Sequence, residues 1–310
     1  MKGPELSRAY YEAFGRPMLE REFPDVMDRI AVGLAGHGSE CFGFDDEISW
    51  DHDFEPGFCL WITDEDDRDF GFRLFRAYRR LPGEFEGIKL EDTSLFGSES
   101  KGVRTIREFY SFYTGTGDVP ETNRAWLAIP EHYLAEATNG EVFSDPLGEF
   151  TRIRNALITG MPEDVRRKKL ASSLFYMAQM GQYNYLRCLR HGEKTAAAEC
   201  LAGFARHTAL AVFLLNRAHA PYYKWRYRAM AALPVLGDLS GQLAVLAAQP
   251  LEGKPNGKTV EEICTRVAEE LRRQGLSDQT ETYLEPHAYR VNEGIRDLDL
   301  RSDPVMLPDR

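Results

Sequence analysis

The chain has 310 residues, 43% of them hydrophobic and 28% charged, which excludes a largely disordered polymer and allows two compact units or one large one. The net charge of −11 speaks against a general electrostatic grip on nucleic acid and makes small molecules or proteins the better expected partners. Five scattered cysteines without a Cys-x-x-Cys pair argue against a structural zinc. With no signal-like N-terminus and no apolar run longer than ALAVFLL (209–215), they point to a cytoplasmic protein.

In chain order, Leu6, Tyr10, Phe14 and Leu19 recur at helical spacing, and Pro24 closes that segment before RIAVGLAG, a short apolar run with strand character. The stretch DFEPGFCLWIT (53–63) predicts a second strand. DEDDRDFGFRLFRAYRRL (64–81) predicts a helix whose acidic start and basic end complement its dipole. EGIKLEDTSLFG and GVRTI read as extended and complete a mixed α/β unit over residues 1–118.

Beyond DVPETN the pattern becomes helical: NRAWLAIPEHYLAEATN, PLGEFTRIRNALI, PEDVRRKKLASSLFYMAQMGQYNYLRCLRHGE and TAAAECLAGFARHTALAVFLLNRA. PYYKWRYRAMAAL, LSGQLAVLAAQ, VEEICTRVAEELRRQG and LSDQTETYLEPHAYRVNEGIRDL continue it, with GKPNGK (253–258) as a surface loop. The expected fold class is therefore α+β. An N-terminal mixed-sheet domain is followed by an all-α bundle over 119–300, with a loosely held tail at 301–310.

The chemistry concentrates in GHGSECFGFDDEISWDHD (36–53). A Gly38-Ser39 turn after an apolar strand offers backbone amides to terminal phosphates. If His52 lies on a strand, Asp51 and Asp53 share one face and their hard oxygens suit Mg²⁺ or Mn²⁺. His37 and the acidic Asp45, Asp46 and Glu47 read first as turn and solvated loop. Lys224 and Arg228 fall at i and i+4 on one helix face, and Arg187 and Arg190 add further cations. Trp50, Tyr222, Tyr223, Trp225 and Tyr227 read as core or domain-interface aromatics.

The order apolar strand, Gly-Ser, a dozen residues, Asp-x-Asp resembles the nucleotidyltransferase fold shared by polymerase-beta-like, minimal and aminoglycoside nucleotidyltransferases. QYNYLRCLRHGE and LNRAHAPYYKWRYR add a resemblance to an uncharacterised bacterial family with a helical C-terminal half. The resemblance implies that Gly38 and Ser39 hold the triphosphate of an NTP, ATP first among them, and that Asp51 and Asp53 are the catalytic metal ligands. It further implies that Lys224 reaches the triphosphate from the helical domain across a cleft, and that a third carboxylate completes the site, Glu91 or Asp92 being available. The acceptor implied is a hydroxyl on a small molecule or protein rather than RNA. The alternative is an inactive nucleotide- or partner-binding module that keeps the fold.

Overall fold

The computed structural model describes residues 3–46, 56–89, 101–248 and 254–307. It is α+β: a four-stranded mixed sheet accompanied by many helices, and two compact units. The first unit comprises residues 1–120 and 133–160, the second 121–132 and 161–310.

In the first unit, helices Gly3–Tyr10 and Arg16–Glu22 run on through a π-helical turn at Tyr11–Gly15, and the chain then enters strand β1, Ala31–Leu34. Strand β2 is Cys59–Ile62. Its helix follows at once as Asp64–Asp66, a π-turn Asp67–Gly71 and Phe72–Tyr78, started by Thr63, whose hydroxyl accepts the Asp66 amide at 3.1 Å. Strands β3 (Glu84–Phe85) and β4 (Ile88–Lys89) form a separate hairpin across Glu86-Gly87, both at positive φ as a primed turn requires. Strand β5, Gly102–Thr105, ends in a capping box of Thr105 and Glu108 that starts helix Ile106–Thr114.

The sheet order is β5-β2-β1-β6, where β6 is Glu141–Ser144; only the β2–β5 pair is parallel. β1 and β2 are buried on both faces. On one side Val32, Leu60 and Ile62 pack with Tyr10, Tyr11, Met18, Leu19, Phe70 and Leu74. On the other, Trp61 stacks on Phe150 at 3.8 Å and meets Phe109 edge-on. Gly33 is needed where β6 crosses, since a Cβ there would sit 2.5 Å from the Glu141 carbonyl oxygen.

The second unit is a helical assembly. Helices Glu163–Met177, Lys194–Leu215 and Leu284–Glu293 share an aliphatic core that includes Leu174, Met177, Phe204, Val212 and Val291. Lys194–Leu215 is long and apolar enough to cross a membrane by length and composition, but 61% of its most apolar window is buried within the protein. Helices Tyr223–Met230, Leu239–Ala248 and Lys254–Arg273 complete the assembly.

Several expectations are corrected. The span 119–300 is not all helix: β6 returns to the sheet, because Val142 and Phe143 cover the open edge of β1. Residues 56–58 of the expected second strand lie outside it, and the strand runs from Cys59 to Ile62. Residues 254–258 of the expected surface loop open a helix, where a proline in the first turn leaves no needed N–H unmade and Asn256 is buried. Residues 277–283 precede their helix rather than belonging to it. The tail is held as far as Leu307. Lys168 Nζ donates to the Asp303 carbonyl at 2.7 Å, Arg124 pairs with the Asp303 carboxylate, and Ser172 and Tyr176 bind the backbone of Leu307.

Candidate functional site

The apolar strand β1 delivers the chain into a turn that only glycine permits at two positions: Gly36 has φ +128 and Gly38 φ +121. Ser39 then takes helical angles and a short 3₁₀ helix, Glu40–Phe42, follows. The turn is fixed from the β6 side. The Asn139 amide receives the Gly36 N–H at 2.9 Å and donates to the Gly36 carbonyl at 2.7 Å, while the Gly140 amide donates to the Cys41 carbonyl at 2.9 Å. Gly140 must be glycine, since a Cβ would lie 1.9 Å from the Leu34 oxygen.

This clamp leaves the amides of Gly38, Ser39 and Glu40 without an acceptor among the described residues. Unpaired amides in a fixed turn seek water or an anion. Glu40 is buried and its carboxylate lies against Gly38, where a Cβ would be 2.4 Å from Oε2. The nearly buried Lys101 stands 3.6 Å from Glu40 Oε1. An anion entering the turn therefore meets a lysine and competes with Glu40 for it.

Beneath the turn lie two thiols and two further acids. Burial pushes Cys59 up to about 11 and Cys41 well above its ordinary value, so neither supplies a thiolate nucleophile near neutral pH. Asp45 is buried; its Oδ2 accepts the Gly3 amide at 3.0 Å and its Oδ1 has no partner. Glu136, buried on helix Glu131–Thr138, has its pKa pushed up to about 7 by burial. Its charge acts on Cys41 and on Tyr113, whose hydroxyl would lie 3.2 Å from a Cβ at Gly36.

In the second unit, Glu131 is pulled in opposite directions: burial raises its pKa, but Lys169 and His219 prevail and hold it at about 2. Lys169 Nζ donates to Glu131 Oε1 at 2.7 Å and to the Ile129 carbonyl at 2.9 Å, and His219 Nδ1 lies 3.6 Å from Glu131 Oε2. The next residue, His132, meets the ring of Tyr222 at 5.5 Å.

Gly38 and Ser39 thus stand where the sequence places them, at the end of β1, and Lys224 is exposed on helix Tyr223–Met230 in the second unit. Asp51, Asp53, Glu91, Asp92, Trp50, His52 and Glu47 lie outside the described residues. Among the described residues no three His, Cys, Asp or Glu side chains converge as a metal site would require. Tyr222, Tyr223 and Tyr227 are exposed, not core: Arg226 and Met230 hold the buried side of their helix. Sequence reasoning missed Asn139-Gly140, Lys101 and Glu136. Asn-Gly at a helix end was a readable turn signal, and a glutamate among Leu134, Ala135 and Ala137 a readable oddity.

Comparison with known proteins adds little chemistry. A family model described as "Domain of unknown function (DUF4037)" matches residues 126–226, which include QYNYLRCLRHGE and most of the phrase ending in KWRYR. No curated protein matches the chain. Among solved structures it resembles a nucleotidyltransferase-like protein from Exiguobacterium sibiricum 255-15, at 12% identity and a TM-score of 0.34, over 88% of this chain and 76% of that one. A likeness of that size carries no argument about activity.

Proposed function

We propose that the chain is a metal-dependent nucleotidyltransferase that moves NMP from an NTP, ATP first among candidates, to a hydroxyl-bearing acceptor. The observation that carries this reading is the clamped glycine turn at the end of β1, whose three unpaired amides and neighbouring Lys101 suit a terminal phosphate.

In this reading Gly38 and Ser39 bind the β- and γ-phosphates through their amides, Lys101 shifts from Glu40 to phosphate, and Lys224 contributes charge from the helical unit. Asp51 and Asp53, as hard oxygen donors, fit Mg²⁺ or Mn²⁺. The divalent cation, when bound, supplies charge neutralisation of the triphosphate. Most of the remaining catalysis is positioning, so the turn's rigidity matters more than any single proton transfer. Glu136, which burial raises to about 7 and whose charge acts on Cys41, has the basicity to take the acceptor proton.

Calorimetric titration with each NTP, with and without Mg²⁺, tests the reading on the wild type and on an Asp51→Asn, Asp53→Asn double variant. Metal-dependent binding to the wild type that disappears in the folded variant is expected. Equal binding by both proteins, or none by either, would overturn it in favour of the inactive module.

A further inference from the structure

The negative charge of the chain is unevenly spread. Residues 161–230 contain twelve Lys or Arg against four Asp or Glu, whereas the rest of the chain contains 26 against 45. Of the twelve cations Arg166, Lys168, Lys169 and Arg226 are buried and Arg167 and Arg217 pair with Glu163, so the charge shown to solvent is narrower and includes the exposed Lys224 and Arg228.

Within that segment, helix Tyr223–Met230 is anchored on one side only. Arg226 and Met230 are buried, and Arg226 Nε donates to the Pro221 carbonyl at 3.4 Å. The opposite side carries two adjacent stripes at i and i+4: Tyr223 with Tyr227, and Lys224 with Arg228, all exposed. Tyr222 extends the aromatic stripe, its ring 4.4 Å from that of Tyr223. Tyr222 and Tyr223 are 42% and 56% exposed, so these rings contribute little to the core. Exposed aromatics cost hydrophobic stabilisation unless something covers them.

We propose that this helix face is a platform for single-stranded nucleic acid. Bases stack on Tyr222, Tyr223 and Tyr227, and phosphates run along Lys224 and Arg228. The i, i+4 spacing sets both stripes about 6 Å apart along the helix, a repeat suited to successive nucleotides of an extended strand. Charge complementarity selects the strand over an apolar peptide, because aromatic and cationic stripes lie side by side. The proposal goes beyond the transfer reaction and does not depend on it.

Fluorescence anisotropy with a labelled single strand of about a dozen nucleotides, without NTP or Mg²⁺ and in about 50 mM salt, tests it. Binding is expected to fall about tenfold in Tyr223→Ala and in Tyr227→Ala and to persist in Tyr223→Phe. Lys224→Gln should lower the slope of log affinity against log salt by about 0.7. All four positions are exposed, so thermal melting should not move. The Asp51→Asn, Asp53→Asn variant should bind the strand as the wild type does, which keeps this result separate from the fate of the transferase reading. No binding by the wild type, unchanged binding in the tyrosine variants, loss in the aspartate variant, or equal competition by a mononucleotide would each overturn the proposal.

Discussion

The glycine turn of the first unit and the buried cations of the helical unit treat their polar groups in opposite ways. In the helical unit, three buried cations are each held by two partners. Lys168 donates to Asn292 and to the Asp303 carbonyl, Lys169 to Glu131 and the Ile129 carbonyl, and Arg166 to Glu163 and the Leu214 carbonyl. Around the glycine turn of the first unit, polar groups find no partner among the described residues: Asp45 Oδ1 and three backbone amides, with a Glu136 that burial raises to about 7. Satisfied polar burial fixes a fold, whereas unsatisfied polar burial marks a place that an incoming ligand can complete. The helical unit has exceptions among its described residues, Gln242 Oε1 and His287 Nδ1 among them, and the largest is His207, stacked on Tyr176 at 4.4 Å with both ring nitrogens unpartnered.

The contrast breaks most sharply at Lys169. In Lys169→Met, Glu131, whose side chain is 11% exposed, loses its lysine and keeps His219 at 3.6 Å, and a loss of about 3 kcal/mol is expected in urea unfolding. Adding Glu131→Leu should recover much of it; a single-variant loss under about 1 kcal/mol would show that the pair is not structural. The wild-type pair also has a pH signature. Because Glu131 is held at about 2, its contribution is present above its unfolded pKa of 4.5 and fades as pH falls towards 2.

The next effect sharpens the exception. Burial, with the like charges of Arg206 and Arg226, pushes His207 down to about 3 from 6.5. The unfolded chain therefore binds the extra proton between those values, and stability is lost as pH falls below 6.5, by about 2 kcal/mol at pH 5. In His207→Phe the pH dependence of unfolding between 7 and 5 should flatten; curves parallel to the wild type would place the acid sensitivity elsewhere.

The smallest effect belongs to the first unit. Glu136, raised to about 7, favours folding while protonated, and that advantage fades as pH rises from 4.5 through 7. Glu136→Gln should therefore gain about 1 kcal/mol at pH 8, allowing for partial solvent screening, and almost nothing at pH 5. A gain equal at both pH values would mean that its charge is not what matters.

Much of this was legible beforehand, and the misses share a cause. β1 and its Gly-Ser turn announce themselves because an apolar run and glycines are local signals. The helices of the second unit follow from periodicity. β6 was missed because four residues with only Val142 and Phe143 apolar give no alternation to count. The Asn139 clamp lies about a hundred residues from the glycine it holds, and spacing carries no information across such a distance. Glu91 and Asp92 are the acids nearest in sequence, whereas Glu136, whose charge acts on Cys41, comes from a helix about forty-five residues on. The aromatics of PYYKW read as core or domain-interface residues, whereas Tyr222 and Tyr223 are exposed, because in so short a helix the spacing of aromatics does not say which side packs inward.

The return of residues 133–160 to the first unit means that the polypeptide passes from one unit to the other three times. A cut at residue 120 would strip β1 of its outer neighbour and the glycine turn of its clamp, while a cut at 160 would deprive the helical unit of Glu131 and of the Ile129 carbonyl that anchors Lys169. Neither half can be borrowed as a cassette by recombination at a single junction.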